Sequence, residues 1–284
     1  MRLATVNDRT VVVTAGGVLD VAEASEGRFG PDSLGVFDRW VEFQQWAGSI
    51  DLGAAAKPFD PAELQAPSPT PRQVFAIGLN YHDHASEAGT SAPVGSTVPP
   101  TFTKFRDSLV GPLGPLQLPS TKVDWEIELV VVIGRPAKEV PAATAWEYIA
   151  GLTVGQDYSD RDVQREGPYP QFSMAKSYPG FGPTGPYLVT TDEFDNPDDL
   201  ALECLINGET VQKTRTSALI VPVPALVEKL SRVCTLLPGD LIFTGTPSGV
   251  GLGRTPETYL KPGDVVISKI EGIGELRQTC VAGW

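Results

Sequence analysis

The chain is poor in several things. It has three cysteines in 284 residues, Cys204, Cys234 and Cys280, far apart and in no Cys-x-x-Cys pattern. That argues against a disulfide framework or a zinc ribbon and points to a reducing, cytoplasmic location. No apolar run approaches transmembrane length, and the first residues, MRLATVNDRTVVV, lack a signal-peptide pattern. Positive charge is short too: 22 Lys and Arg against 35 Asp and Glu leave a net charge of -13. Nucleic acid and anionic membranes are therefore poor partners, because phosphate binding needs a basic face. A small anionic ligand stays possible where a metal or a few Lys and Arg supply local positive charge. Histidine is scarcest of all the catalytic types: His82 and His84 share one short segment.

Glycine (29) and proline (26) are plentiful, which favours a turn-rich, β-rich chain. Residues 1 to about 65 read as a small N-terminal unit. Thr10–Thr14 and Val18–Val21, joined through Gly16-Gly17, suggest a hairpin, and Phe37–Trp46 a short amphipathic helix. Gln65-Ala-Pro-Ser-Pro-Thr-Pro-Arg72 reads as an extended linker, dividing residues 1–70 from a main domain at 71–284. Beyond it, strands are expected at 74–78, 126–133, 151–156, 186–190, 201–206, 241–244 and 264–270, and helices at 81–88, 144–149 and 222–233. Pro-Gly-Asp precedes an apolar strand twice, at 238–240 and 262–264, which reads as a repeated turn. Strands with scattered helices indicate an α+β, β-rich fold rather than a regular βα alternation.

The most informative segment is Asp124-Trp125-Glu126-Ile127-Glu128-Leu129, running into Val130-Val131-Val132-Ile133-Gly134. Alternate side chains of a strand face opposite ways, so Glu126 and Glu128 share a face. Two like charges at the start of a run apolar on both faces resist burial, and a divalent cation removes that cost. Carboxylates suit Mg²⁺ or Mn²⁺. A third acid is needed, and Asp157, at the end of the expected strand 151–156, is the first candidate. Asp160 and Asp162 are rivals, and either fits equally as a turn cap or a partner of Arg161.

In Gly78-Leu-Asn80-Tyr81-His82-Asp83-His84-Ala-Ser86-Glu87-Ala-Gly89, Asn80 suits an N-cap and Gly89 a C′ position. His84 and Glu87 then share a face. They are either a base with its orienting acid or a solvent-facing pair. Lys176 precedes a Gly/Pro-rich loop and either points at an anionic site or into solvent. The glycine-rich stretch 243–253 contains no phosphate-binding motif, and its glycines would let backbone approach a ligand, with Thr246 offering a hydroxyl.

Taken in order, GLNYHDHASEAG (78–89), FTKF (102–105), DWEIELVVVIG (124–134), GQDYSDRDVQ (155–164), AKSYPGFGPTGP (175–186), NGE (207–209), FTGTPSGVG (243–251) and PGDVVISKIEGIGEL (262–276) resemble the fumarylacetoacetate hydrolase family. The resemblance covers most of residues 74–276. It implies a mixed β-sandwich roll, usually a homodimer, with Mg²⁺ (or Mn²⁺) on Glu126, Glu128 and Asp157. It implies a water-activating dyad of His84 and Glu87, a substrate contact at Lys176, and a pocket lined by Gln156, Arg161, Gln164, Gly245 and Thr246. The chain departs from many members at Tyr178-Pro-Gly-Phe181, at Tyr158 and at Arg106-Asp107. The expected reaction is metal-dependent C–C hydrolysis of a 2,4-dioxo acid (an acylpyruvate) to pyruvate and a carboxylic acid. The alternatives are oxaloacetate decarboxylation or oxo-acid tautomerisation at the same metal, and a non-catalytic metal or oxo-acid binder. Residues 89–100, loop-like and low in bulk, are expected to move as a lid.

Overall fold

The computed structural model describes residues 1–52, 56–89, 95 and 98–283. Its fourteen principal strands are β1 (Arg2–Val6), β2 (Arg9–Thr14), β3 (Gly17–Asp20), β4 (Val74–Ile77), β5 (Thr101–Thr103), β6 (Leu113–Leu118), β7 (Ile127–Ile133), β8 (Ile149–Gln156), β9 (Gly182–Val189), β10 (Ala201–Ile206), β11 (Glu209–Arg215), β12 (Leu241–Phe243), β13 (Val265–Ile270) and β14 (Gly274–Ala282). They form a large mixed sheet ordered β3-β2-β1-β9-β8-β7-β12-β4-β5 and a second sheet ordered β11-β10-β13-β14-β6. Helices α1 (Ser33–Asp38), α2 (Trp40–Ala47), α3 (His82–Glu87), α4 (Arg161–Gln164), α5 (Phe172–Ala175) and α6 (Val223–Val233) surround them. The expected β-rich α+β sandwich is the fold found.

Strand β7 is central, and every one of its residues is buried. Its alternation explains how. Ile127, Leu129, Val131 and Ile133 share a core with Leu202, Cys204, Val266 and Leu276 of the second sheet. Val130 and Val132 pack with Phe37, Trp40, Phe43 and Trp46 of α1 and α2. Each fully buried Val, Leu or Ile contributes roughly 1.5–3 kcal/mol. Sheet on one side and aromatic helices on the other therefore account for a strand that is apolar in both directions.

The N-terminal hairpin forms as expected, β2 against β3. Strand β1 pairs in turn with β9, Arg2 opposite Val189 and Leu3 opposite Leu188, so these strands continue the large sheet. At the start of the stretch read as a linker, Gln65 pairs with Thr5 of β1; further along, Ser68 is buried, and its hydroxyl donates to the Gly239 carbonyl at 2.8 Å. The helix expected at 144–149 is a 3₁₀ segment, Ala142–Tyr148. Strands β1, β5, β6, β11 and β14 had no counterpart in the reading of the sequence. Asn80 is not a cap: Tyr81 holds that position, with no side-chain bond. The Asn80 amide is buried instead, donating to Val221 and Thr244 carbonyls and accepting from Val221 N–H. Gly89 ends α3 with φ 67°, the left-handed turn expected of it. Most of the segment expected to act as a lid lies outside the described residues.

Candidate active site

The acids meet because of strand register. Strands β7 and β8 are antiparallel, with Ile127 opposite Gln156 and Glu128 opposite Gly155. One step further, Asp157 N–H donates to the Glu126 carbonyl at 2.9 Å. Glu126 and Asp157 thus face each other, and Glu128 lies two residues along the same face. Oxygens of the three side chains lie within 4.8 Å of one another, and all three residues are buried. Asp160 is elsewhere: it caps α4, accepting from Asp162 and Val163 N–H. Asp162 pairs with Lys122 at the surface. The position at the strand end therefore selects Asp157.

Register also decides two residues expected in the pocket. Gln156 shares the face of Ile127 and turns into the sandwich. Its carbonyl accepts from Glu126 N–H at 2.8 Å and its amide donates to Ser268 at 2.8 Å. It is absent from the cavity wall and braces the strand ends. Gly245 likewise presents no side chain to the cavity. With φ 103°, it donates its N–H to Glu128 Oε2 at 2.7 Å. Thr246 does line the cavity, but its hydroxyl is committed, donating to the Ile127 carbonyl and accepting from Gln212.

Cations interleave with the acids. Lys176 Nζ lies 2.8 Å from Glu126 Oε2, 2.8 Å from Asp157 Oδ2 and 2.7 Å from Ser159 Oγ. Arg161 spans Glu126 (2.7 Å), Asp124 (2.9 Å) and Gln164 (2.8 Å). Lys104, given no role in the sequence, is buried and donates to Asp157 Oδ1 at 2.7 Å and to the Lys176 carbonyl. Its only advance signal was a lysine flanked by aromatic residues in Phe-Thr-Lys-Phe.

These contacts split the two glutamates. Burial favours a neutral Glu126, but the charges of Lys176, Arg161 and His84 prevail and hold it at about 2. Glu128 goes the other way: burial raises it, and the charges of Asp157 and Glu126 raise it further. Burial lowers Lys176, yet Asp157 and Glu126 more than compensate and raise it. Burial lowers Lys104 in spite of Asp157. Among the described residues no Lys or Arg lies within 4.0 Å of Glu128. The donor set is thus all oxygen, with one acid disfavoured as an anion by its neighbours. That chemistry fits a hard divalent cation.

The opposite wall is α3. His84 Nδ1 lies 3.0 Å from Glu87 Oε2, both side chains being about one-seventh exposed (13% and 15%). Glu87 Oε1 accepts from Gly249 N–H at 2.9 Å. Gly253 is required beside it, since a Cβ there would lie 2.3 Å from the Glu87 side chain. Asp124, also unremarked in the sequence, accepts from Gly251 N–H (2.7 Å) and Leu252 N–H (3.0 Å). The glycine-rich stretch was expected to let backbone approach a ligand. What its backbone approaches here is the protein's own acids, through Gly245, Gly249, Gly251 and Leu252. His84, Glu87, Glu126, Arg161, Gln164, Lys176 and Thr246 line one cavity of about 410 Å³, with Ile77, Leu79, Phe102, Phe172, Val250 and Leu252 as apolar walls.

A strand-rich sandwich that gathers three buried acids beside a His–Glu pair defines the fumarylacetoacetate hydrolase class. Residues 73–281 match the family described as Fumarylacetoacetate (FAA) hydrolase C-terminal, and the chain belongs to it. It is 38% identical over 267 residues to the mitochondrial oxaloacetate tautomerase Fahd2a of Rattus norvegicus, covering 91% of this chain and 82% of that one. A Mycobacterium smegmatis structure provisionally designated HpcE superposes with TM-score 0.95 at 53% identity, covering 99% of each chain. The maleylpyruvate hydrolase of Sphingobium sp. SYK-6, solved with manganese(II) and pyruvate, superposes with TM-score 0.78 at 25% identity, covering all of both. Family members thus include hydrolases and isomerases.

Proposed function

We propose that the protein acts on a small 2-oxo acid and that His84 carries the proton moved in the reaction. The observation that carries this reading is the His84–Glu87 pair, set in the same cavity as Glu126 and Lys176. Glu87 occupies Nδ1 and fixes the imidazole tautomer, leaving Nε2 for proton transfer. A divalent cation on Glu126, Glu128 and Asp157, Mg²⁺ or Mn²⁺, would supply Lewis-acid polarisation of the oxo group. Lys176 holds two of the three acids in place and adds positive charge where an enolate or oxyanion develops. The apolar wall excludes water from the rest of the bound molecule.

Keto–enol interconversion of an oxaloacetate-like acid is the first choice, because relatives named for that reaction match most of the chain. In it His84 takes a proton from the carbon beside the oxo group and returns it to oxygen. C–C hydrolysis of an acylpyruvate is the second reading, favoured by the likeness to a maleylpyruvate hydrolase. There His84 takes its proton from water. The test is Mg²⁺-loaded protein on oxaloacetate, followed by enol absorbance and CO₂ release, beside acylpyruvates followed by pyruvate formation. Enol equilibration alone supports the tautomerase. Pyruvate from acylpyruvates supports the hydrolase, and CO₂ from oxaloacetate a decarboxylase. Metal binding with no turnover supports a binder.

Two expectations belong to the same proposal. A homodimer follows from the family resemblance and is checked by light scattering. A cytoplasmic location rests on three unpaired cysteines and is checked by fractionation, since some relatives are mitochondrial. Among the described residues no helix is long and apolar enough to cross a membrane.

A further inference from the structure

Three Lys and Arg side chains line the cavity: Lys176, Arg161 and Arg165. Two of them are occupied by the protein. Lys176 is held by Glu126, Asp157 and Ser159, and Arg161 by Asp124, Glu126 and Gln164. Arg165 differs. Its acidic neighbour among the described residues is Glu257 at 3.8 Å, too long for a hydrogen bond, and its side chain is 58% exposed. Asp160 caps α4, Arg161 and Gln164 lie on its single turn, Arg165 is its C-cap residue, and all three line the cavity. Arg161 lies at the acid triad, bonded to Glu126, and Arg165 lines the same cavity just past the end of α4. Gln164 sits between them. Its carbonyl is taken by Arg161, and its amide nitrogen has no partner among the described residues.

We infer that Arg165 binds a second carboxylate of the substrate, so that the cavity selects oxo diacids over oxo monoacids. This rests on the oxo-acid reading above and names its substrate class. The head of the molecule, carboxylate and oxo group, belongs at the triad. The far end meets the Arg165 guanidinium in a cavity whose other walls include Leu252 and Gly253. Those walls would suit an alkyl tail equally, so charge at Arg165 is what separates the two classes. A planar guanidinium with donors to spare matches a carboxylate bidentately.

The test uses full-length protein loaded with Mn²⁺. Wild type and Arg165→Gln are assayed on oxaloacetate, a diacid, and acetylpyruvate, a monoacid, with pyruvate binding followed by calorimetry. The preference for diacid, as a ratio of KM values, falls at least about tenfold in Arg165→Gln, as expected for a lost charge-assisted hydrogen bond. The loss lies in KM rather than kcat, and Arg165→Lys recovers part of it. Mn²⁺ titration and Tm show that each variant is folded. A wild type that takes monoacids as readily as diacids overturns the role of Arg165 and leaves the oxo-acid reading standing. So does an equal rise of KM for both substrates in the variant, or a loss in kcat alone. A wild type that binds neither pyruvate nor either substrate overturns the oxo-acid reading, and this inference with it.

Discussion

The floor and the wall of the cavity are built differently. The floor consists of Glu126, Glu128 and Asp157 at the ends of two central strands, cross-braced by Lys104, Arg161 and Lys176, all buried. Each acid is fixed by register and again by a charge or a backbone N–H. The wall is α3, six residues long, with no side-chain N-cap bond. It is held to the glycine-rich loop by Glu87 at Gly249, and by Asp83, which accepts from Ser248 at 2.8 Å. The floor is over-determined, so changes there affect binding and stability together. The wall is lightly held, so changes there affect the reaction while sparing the fold.

The largest effect is expected in the floor. Asp157→Ala removes one acid of the triad and leaves both Lys104 and Lys176 short of a buried partner. Breaking a buried pair in this way costs about 3–5 kcal/mol. Mg²⁺ binding by calorimetry and Tm by calorimetric scan should both collapse. Retained Tm would mean that the lysines are satisfied without Asp157, and the floor would then be no more determined than the wall.

In the wall, His84→Ala should lower turnover by about 10²–10⁴, the usual worth of a general base. Metal affinity and Tm should change little, because the imidazole is part-exposed and packs no core. A matching fall in Tm would erase the distinction between the two regions. Chelation of the metal comes next: three close carboxylates lose their counter-charge, so Tm should fall with EDTA and recover with Mg²⁺. At a hundredfold excess over Kd the cation stabilises by about 2.7 kcal/mol. A Tm indifferent to Mg²⁺ would speak against a cation on the triad. The smallest effect is Gly253→Ala, whose Cβ displaces the Glu87 side chain without touching the triad. Turnover should fall less than in His84→Ala, because the imidazole stays in place but loses its Glu87 contact, and Mg²⁺ affinity should hold.

The acids could be read in the sequence because strand alternation is local. Two like charges on one face of an apolar run are an anomaly before any tertiary contact is known. Hairpin β2–β3 and strands β7, β8, β10, β12 and β13 carried signals of the same kind. Strand β14 did not. Glu275, Arg277 and Thr279 interrupt its apolar residues because only one side of it is covered, and the covered side itself carries a buried Gln278. Strand β6 opens on Leu-Gly-Pro, which reads as a turn until its pairing with β14 is known. Within the site, alternation places Gln156 on the face opposite Asp157, whereas the family resemblance alone had put it in the pocket. Lys104 and Asp124 were illegible for another reason. Their partners are 53 and 37 residues away, Asp157 and Arg161 respectively, and nothing local says which charge a buried lysine or aspartate will meet.

The loop from Gly245 to Gly253 grips Glu128, Glu87 and Asp124 through peptide N–H groups. The donors at Gly245, Gly249 and Gly251, and Gly253 beside Glu87, are confined to glycine, because a Cβ there would come within 1.8–2.8 Å of Asn80, Val211, Thr258 or Glu87, so the grip leaves only the residues between them open to replacement. Val250 and Leu252, which face the cavity from that loop, are therefore free to change while the acids keep their spacing. A lineage carrying this loop can exchange one substrate for another by altering the apolar wall, with the reacting geometry inherited unchanged.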